Sequence, residues 1–317
     1  MSEQLDDAQV GALSWSTEQR NPRTMDLDQL DSGALVSRIL AEDAQVAAAV
    51  QAVQDRIAQA VDHAVAALAS GGRIHYVGSG TSGRLGVLDA VELFPTYRVG
   101  EEMVVAHLAG GTAAMMRAAE GAEDDETAGR ALAGQMRSAD FVVGLAASGR
   151  TPYVRGAMAA AGELGCATAL VSANPAAPLA ELADVAILVD TGPEVVTGST
   201  RMKAATAQKM VLNTFSTATM VRMGKTYSNL MIDVVATNAK LRRRMVTMLQ
   251  QATGADDAAA EGALAQAGGQ IRPALVALLA GVDVTAASQA LTDLPPDPSR
   301  LDDPAGIRTA AARLGRP

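Results

Sequence analysis

The sequence predicts an α/β fold: a parallel sheet flanked by helices on both faces, with a small helical appendage at the C-terminal end. Two observations carry that prediction. Five short apolar runs, near residues 73–78, 103–108, 140–146, 167–172 and 184–190, are separated by helix-patterned stretches, the alternation that builds a parallel sheet. The first and third runs end in turns dense in glycine and hydroxyl residues, as strands do where they hand over to a helix beside a ligand.

The elements follow in order. Residues 1 to about 40 are polar and predict an extended arm leading to a short helix. Residues 41–70 predict one long helix, because Val46, Val50, Val53, Ile57, Val61, Val65 and Leu68 recur close to helical spacing and Gly71-Gly72 stops the run. After the five strands, residues 199–223 read as a second long helix. Beyond Asp256 the text is alanine-rich and helical, punctuated by Gly268-Gly269 and Gly281. From Leu294-Pro-Pro-Asp-Pro onward the sequence predicts a poorly ordered end, apart from one last helix.

The first turn is the most informative stretch. Gly78-Ser79-Gly80-Thr81-Ser82-Gly83-Arg84 follows an apolar strand and opens a helix, so its N–H groups can approach an anion at a helix N-terminus. Gly78, Gly80 and Gly83 spell the glycine fingerprint of dinucleotide sites, but the next strand ends in Ala109-Gly110-Gly111, with no carboxylate for a ribose. A P-loop would need lysine and a metal-binding hydroxyl where Arg84 and Leu85 stand. Three hydroxyls, Ser79, Thr81 and Ser82, suit a terminal phosphomonoester, whose oxygens accept several donors at once. A second turn of the same kind, Ser148-Gly149-Arg150-Thr151-Pro152, adds Ser148 and Thr151, with Arg150 as a cation for the phosphate and Pro152 suited to a first helical turn. Two such turns at the carboxyl ends of parallel strands imply one sugar-phosphate pocket at a topological switch point.

Composition narrows the partners. A chain of 317 residues with 49% hydrophobic residues can bury a sizeable core. Its net charge of −9 argues against nucleic acid or an anionic membrane as a partner, and leaves a phosphorylated ligand to local N–H donors. The single cysteine, Cys166, excludes an intrachain disulfide and is expected as a small buried hydrophobe in a strand. His63, His75 and His107 are scattered, two of them inside strand-like runs, so packed core histidines and no metal are expected. The polar N-terminus has no apolar leader segment and no apolar run reaches membrane-spanning length, which predicts a soluble, cytoplasmic protein.

The segment from Gly78 to Tyr97, GSGTSGRLGVLDAVELFPTY, resembles the signature of N-acetylmuramic acid 6-phosphate etherases, a branch of the sugar isomerase (SIS) domain superfamily. Further blocks match in order: Thr17-Glu-Gln-Arg-Asn21-Pro22, Ala119-Glu-Gly-Ala-Glu123-Asp-Asp125, Ala147-Ser-Gly-Arg-Thr-Pro-Tyr153, a block from Glu194 to Lys203, and one from Asn229 to Asn238. Leu93-Phe94 departs from the small or polar pair expected before Pro95, and the C-terminal region is diverged.

The resemblance implies a SIS-type domain over 64–227, preceded by an arm and helix over 1–63 and followed by a C-terminal helical region over 228–317. It implies cleavage of a lactyl ether from a sugar phosphate by elimination and then hydration, with no cofactor. Glu92 matches the family's acid, which protonates the departing lactate, and Glu123 matches its base at C2. Beside Leu93, Phe94 and Pro95, Glu92 has the more apolar text and is expected to be the protonated partner. Glu120, three residues before Glu123 and expected on the same helical face, is a rival base. Ser199 and Lys203 are candidates for the sugar end, Asn21 for a pocket reached by the arm, and the resemblance implies a homodimer with sites near its interface. Two other readings share the pocket: a sugar-phosphate-sensing regulator, and an aldose-ketose isomerase, which needs no acid for a leaving group at C3.

Overall fold

The computed structural model describes residues 16–117, 119–234 and 238–315. It divides into two compact units, one holding residues up to 90 with 102–215, the other 91–101 with 216–317.

In the first unit three single 3-10 turns, Ser16–Glu18, Pro22–Thr24 and Leu27–Gln29, lead into helices α1 (Ser32–Asp43), α2 (Val46–Gln51) and α3 (Gln54–Ala69). The short helix expected at the end of the arm is α1, whose start the Asp31 carboxylate caps at the Ala34 N–H, and the single helix expected over 41–70 is the end of α1 followed by α2 and α3. At the first break the backbone stays close to helical values, φ −59° and ψ −20° at Ala44, whereas at the second Ala52, at φ −62° and ψ −21°, is followed by Val53 at φ −108° and ψ 15°. Short bonds such as Gln45 N–H to the Glu42 carbonyl and Val53 N–H to that of Val50 interrupt the ladder there. The valine spacing survives such a break, so the pattern reads through it.

Strands β1 (Ile74–Gly78), β2 (Val104–Leu108), β3 (Phe141–Leu145), β4 (Ala167–Ser172) and β5 (Val185–Leu188) lie within the five apolar runs. They form one parallel sheet in the order β2-β1-β3-β4-β5. Four helices connect or cover them: α4 (Gly80–Tyr97), whose last turns belong to the second unit, α5 (Glu126–Ala131), α6 (Pro152–Glu163) and α7 (Lys203–Arg222). Register separates the faces. Val77, Val142 and Leu170 point to one side, into a core with Val154, Ala157 and Met158 of α6. Tyr76 and Phe141 point to the other, against Phe215 of α7, with His63 of α3 stacked on Phe141 and Gly86 of α4 against Leu145. Helices thus cover both faces.

Helix α7 starts at Lys203 rather than 199, because the Glu194 carboxylate accepts the N–H groups of Lys203 and Ala204 at 2.9 and 3.0 Å and satisfies the first turn there. Cys166 is buried just ahead of β4, its thiol donating to the Arg137 carbonyl at 3.1 Å, so it precedes the strand it was expected to sit in.

The second unit holds a two-strand hairpin, β6 (Thr226–Tyr227) and β7 (Leu230–Met231), and helices α8 (Ala239–Thr253), α9 (Asp257–Gln266), α10 (Ile271–Ala280), α11 (Val284–Thr292) and α12 (Ile307–Leu314). Asn238, Asp256 and Asp283 each cap a helix N-terminus, and Met245, Leu249, Leu264, Leu275 and Ile307 fill the core. The proline-rich end is not loose. Leu294 and Ala305 are buried in that core, and Asp297 N–H donates to the Pro304 carbonyl at 2.8 Å. Local prolines and aspartates masked these few anchoring contacts. Among the described residues no single helix is long and apolar enough to cross a membrane.

Candidate active site

Strand β1 and helix α4 meet backbone to backbone. A Cβ on Gly78 would lie 2.8 Å from the Cα of Gly83, and one on Gly83 would lie 2.5 Å from the Gly78 carbonyl oxygen, so a side chain at either position forces the strand and helix apart. Gly80, at φ +50°, starts the helix, and the Gly83 N–H donates to the Ser79 carbonyl at 3.0 Å. The N–H groups of Gly80, Thr81 and Ser82 come before that bond and have no acceptor within the helix. With the positive end of an 18-residue helix behind them they favour an anion. Ser79, Gly80 and Arg84 line a cavity of about 240 Å³ that Glu120, Gly121 and Glu123 also line. Thr81 and Ser82 follow, partly exposed.

The second turn lies beside the first, because β1 and β3 are neighbours and β2 lies outside β1. That is the switch point at which open parallel sheets bind ligands. Gly149, at φ +68°, allows its tight course, since a Cβ there would lie 2.2 Å from that of Ala177. Ser148 and Thr151 are partly exposed; the Ser148 carbonyl accepts from Asn174 Nδ2 at 2.9 Å, and the Thr151 side chain does not cap α6. Arg150 lines a separate cavity, of about 400 Å³, with Arg155, Leu179 and Glu181.

Arg84 organises the approach to the acidic wall. Its Nε donates to the Ala114 and Met115 carbonyls at 2.9 and 3.2 Å and its Nη2 to that of Arg117 at 3.3 Å. Glu120 and Glu123 do not share a helical face. Gly121, at φ +73°, separates Glu120 from the 3-10 turn Ala122–Asp124 that carries Glu123, yet both residues line the cavity. Glu92, on α4, is exposed, as are Pro95 and Phe94, the latter at 62%, while Leu93 turns into the core. The apolar text around Glu92 therefore does not enclose its carboxyl within this chain.

Comparison with known proteins decides the family. The chain is 52% identical over 284 residues to an N-acetylmuramic acid 6-phosphate etherase of Serratia proteamaculans (strain 568), covering 89% of this chain and 95% of that protein. It is 56% identical over 272 residues to a protein of the same name from Thermobifida fusca (strain YX), covering 86% and 90% of the two chains. This chain belongs to the N-acetylmuramic acid 6-phosphate etherase family. A family model of the glucokinase regulatory protein N-terminal SIS domain matches residues 56–162. A phosphoheptose isomerase from Francisella tularensis superposes with a TM-score of 0.50 at 15% identity, covering 61% of this chain and 100% of that one, a likeness of fold. The sheet is thus of the SIS type.

In this etherase-family chain two of the blocks that carry the resemblance meet around one buried carboxylate. Glu42, 2% exposed, accepts from Asn21 Nδ2 at 2.8 Å, from Arg23 Nη2 at 2.8 Å and from Lys203 Nζ at 3.0 Å. The Arg23 hydrogen bond, outweighing burial and helped by Lys203 and Asn21, holds the Glu42 carboxyl down at about 2. Asn21 also donates to the Pro193 carbonyl at 3.2 Å. Burial raises the Glu194 carboxyl against the pull of its two N–H donors. Asn21, expected in a pocket reached by the arm, and Lys203, a candidate for the sugar end, thus both take part in tying the arm to the start of α7. Ser199 is partly exposed in the loop before that helix.

His75 and His107 are packed in the core, as expected, whereas His63 is exposed. His75 and His107 stack, with His75 Nδ1 2.9 Å from His107 Nε2 and His75 Nε2 3.2 Å from Asp140 Oδ2. Among the described residues no group of three His, Cys, Asp or Glu side chains could hold a metal ion.

Three residues that shape this region escape a reading by motif: Glu42, Asn174 and Gln208. For Glu42 a signal existed, since it stands four residues before Val46 and eight before Val50, on the apolar stripe.

Proposed function

We propose that this protein cleaves the D-lactyl ether of N-acetylmuramic acid 6-phosphate, giving N-acetylglucosamine 6-phosphate and D-lactate. The observation that supports this reading is the shared cavity: Ser79 and Gly80 of the first turn and Glu123 line one space. The phosphate binds at the first turn of α4, where Ser79, Thr81 and Ser82 supply hydroxyls, with Ser148 and Thr151 completing the site from the second turn. Ring opening converts C1 to an aldehyde, which acidifies the C2 proton. Ionised Glu123 removes that proton. The electron pair then forms the C2–C3 double bond as the C3–O bond breaks, and protonated Glu92 gives its proton to the departing lactate oxygen. Water, deprotonated by Glu92, adds at C3, and C2 regains a proton. The sum is a hydrolysis, balanced without a redox partner.

The protein works in the cytoplasm as a homodimer. Supporting the dimer, Val36 and Leu40 stand one turn apart on α1 at 55% and 61% exposure.

In deuterated water, wild type releases D-lactate, Glu92→Ala exchanges the C2 proton without release, and Glu123→Gln does neither. A wild-type protein that binds the sugar phosphate and interconverts aldose and ketose, or binds it without reaction, contradicts this reading in favour of an isomerase or a sensor.

A further inference from the structure

The cradle has a keeper that no motif marks. Gln208, one turn and a half into α7 and 4% exposed, donates from Nε2 to the Ser82 carbonyl at 2.8 Å. It also walls an internal void of about 10 Å³ with Ala147 and Ser172, at the ends of β3 and β4 where the second turn begins. That space is at the limit for one water. The second turn is held in the same manner. Asn174, itself buried, donates to the Ser148 carbonyl at 2.9 Å, and the Ser172 hydroxyl donates to the Ala147 carbonyl at 3.0 Å.

In both turns a buried amide takes the carbonyl of a cradle serine. The consequence is conformational. The peptide of the Ser82 carbonyl carries the Gly83 N–H, which closes onto the Ser79 carbonyl at 3.0 Å, so pinning it holds the first turn of α4 in the form that leaves the preceding N–H groups of Gly80, Thr81 and Ser82 for an anion. Gln208 is well placed for this, because Glu194 fixes the start of its helix through Lys203 and Ala204 N–H. We infer that Gln208 is a positioning residue for the phosphate of the substrate, holding the first turn in its anion-binding conformation. This inference rests on the phosphate reading of that turn.

The test compares Gln208→Met, which keeps the length and removes the donor, with Gln208→Glu and with Ser79→Ala. We measure KM and kcat for N-acetylmuramic acid 6-phosphate, and competitive inhibition by inorganic phosphate. Gln208→Met raises KM and the phosphate inhibition constant together by about tenfold, with kcat changed by less than about threefold. If Gln208→Met lowers only thermal stability, leaving both constants as in wild type, Gln208 is a structural residue and the inference is wrong. In Gln208→Glu the carboxyl donates to Ser82 only when protonated, so the ratio of its KM to that of wild type falls as pH is lowered. A flat ratio contradicts the inference even where the Met variant does not fold. If Ser79→Ala leaves KM and phosphate inhibition untouched, the phosphate reading of the turn itself fails. Normal constants for Gln208→Met beside a weakened Ser79→Ala sink the inference alone.

Discussion

His107 and His75 are neutral at ordinary pH for reasons visible around them. Burial, then the charges of His75 and Arg73, pushes His107 down to about 4, and burial also lowers His75 against the attraction of Asp140. Asp140, although burial opposes it, is lowered by the N–H groups of Arg137 and Arg73 and by His75. The unfolded chain protonates a histidine near pH 6.5, well before the folded chain protonates His107. The stability associated with neutral His107 is thus present above pH 6.5 and is lost as pH falls toward about 4, by about 3 kcal/mol. Thermal unfolding followed from pH 7 to 4 should show this loss, and His107→Gln should flatten the slope; an unchanged slope would assign the loss to other groups. Side-chain pairing of this kind was not legible in sequence. His75 and His107 stand 32 residues apart, and their contact depends on the register of β1 and β2.

Elements were legible where burial is complete and illegible where it is interrupted. Strands β1 and β3 are buried at every residue, so their apolar runs mark them within a residue or two. The breaks in the 41–70 helix left no mark, because the valine spacing runs through both of them. The start of α7 depended on Glu194, nine residues before Lys203 and outside any local capping pattern. Packing between α5 and α6 was equally hidden. A Cβ on Gly156 would lie 2.1 Å from the Glu126 carbonyl, and one on Gly129 would lie 2.0 Å from that of Tyr153, so these helices touch through paired glycines. Gly156→Ala should therefore destabilise the protein by about 2 kcal/mol, although alanine is the better helix former. Chemical denaturation measures it, and a stabilised variant would show that the helices separate at little cost.

For the whole molecule, charge and fold divide the labour of holding substrate. A chain of net charge −9 repels a sugar phosphate at long range, so the proposed phosphate site has to rely on local N–H donors rather than on the overall field. The two turns stood out in the sequence because glycines and hydroxyl residues cluster there, whereas Glu92 and Glu123 were singled out only through the family resemblance. Asn21 and Lys203, singled out as substrate candidates, both donate to Glu42, a convergence of residues far apart in sequence that no motif marks.

The central claim is elimination followed by hydration, and the label pattern of one product tests it most directly. N-acetylmuramic acid 6-phosphate is turned over in water enriched in both deuterium and oxygen-18, and the N-acetylglucosamine 6-phosphate is fragmented by mass spectrometry. The account predicts deuterium at C2 and solvent oxygen at C3, with unlabelled oxygen in the lactate hydroxyl. Solvent oxygen in the lactate hydroxyl, with C2 and the C3 oxygen unlabelled, would mean displacement at the lactyl carbon and would contradict it.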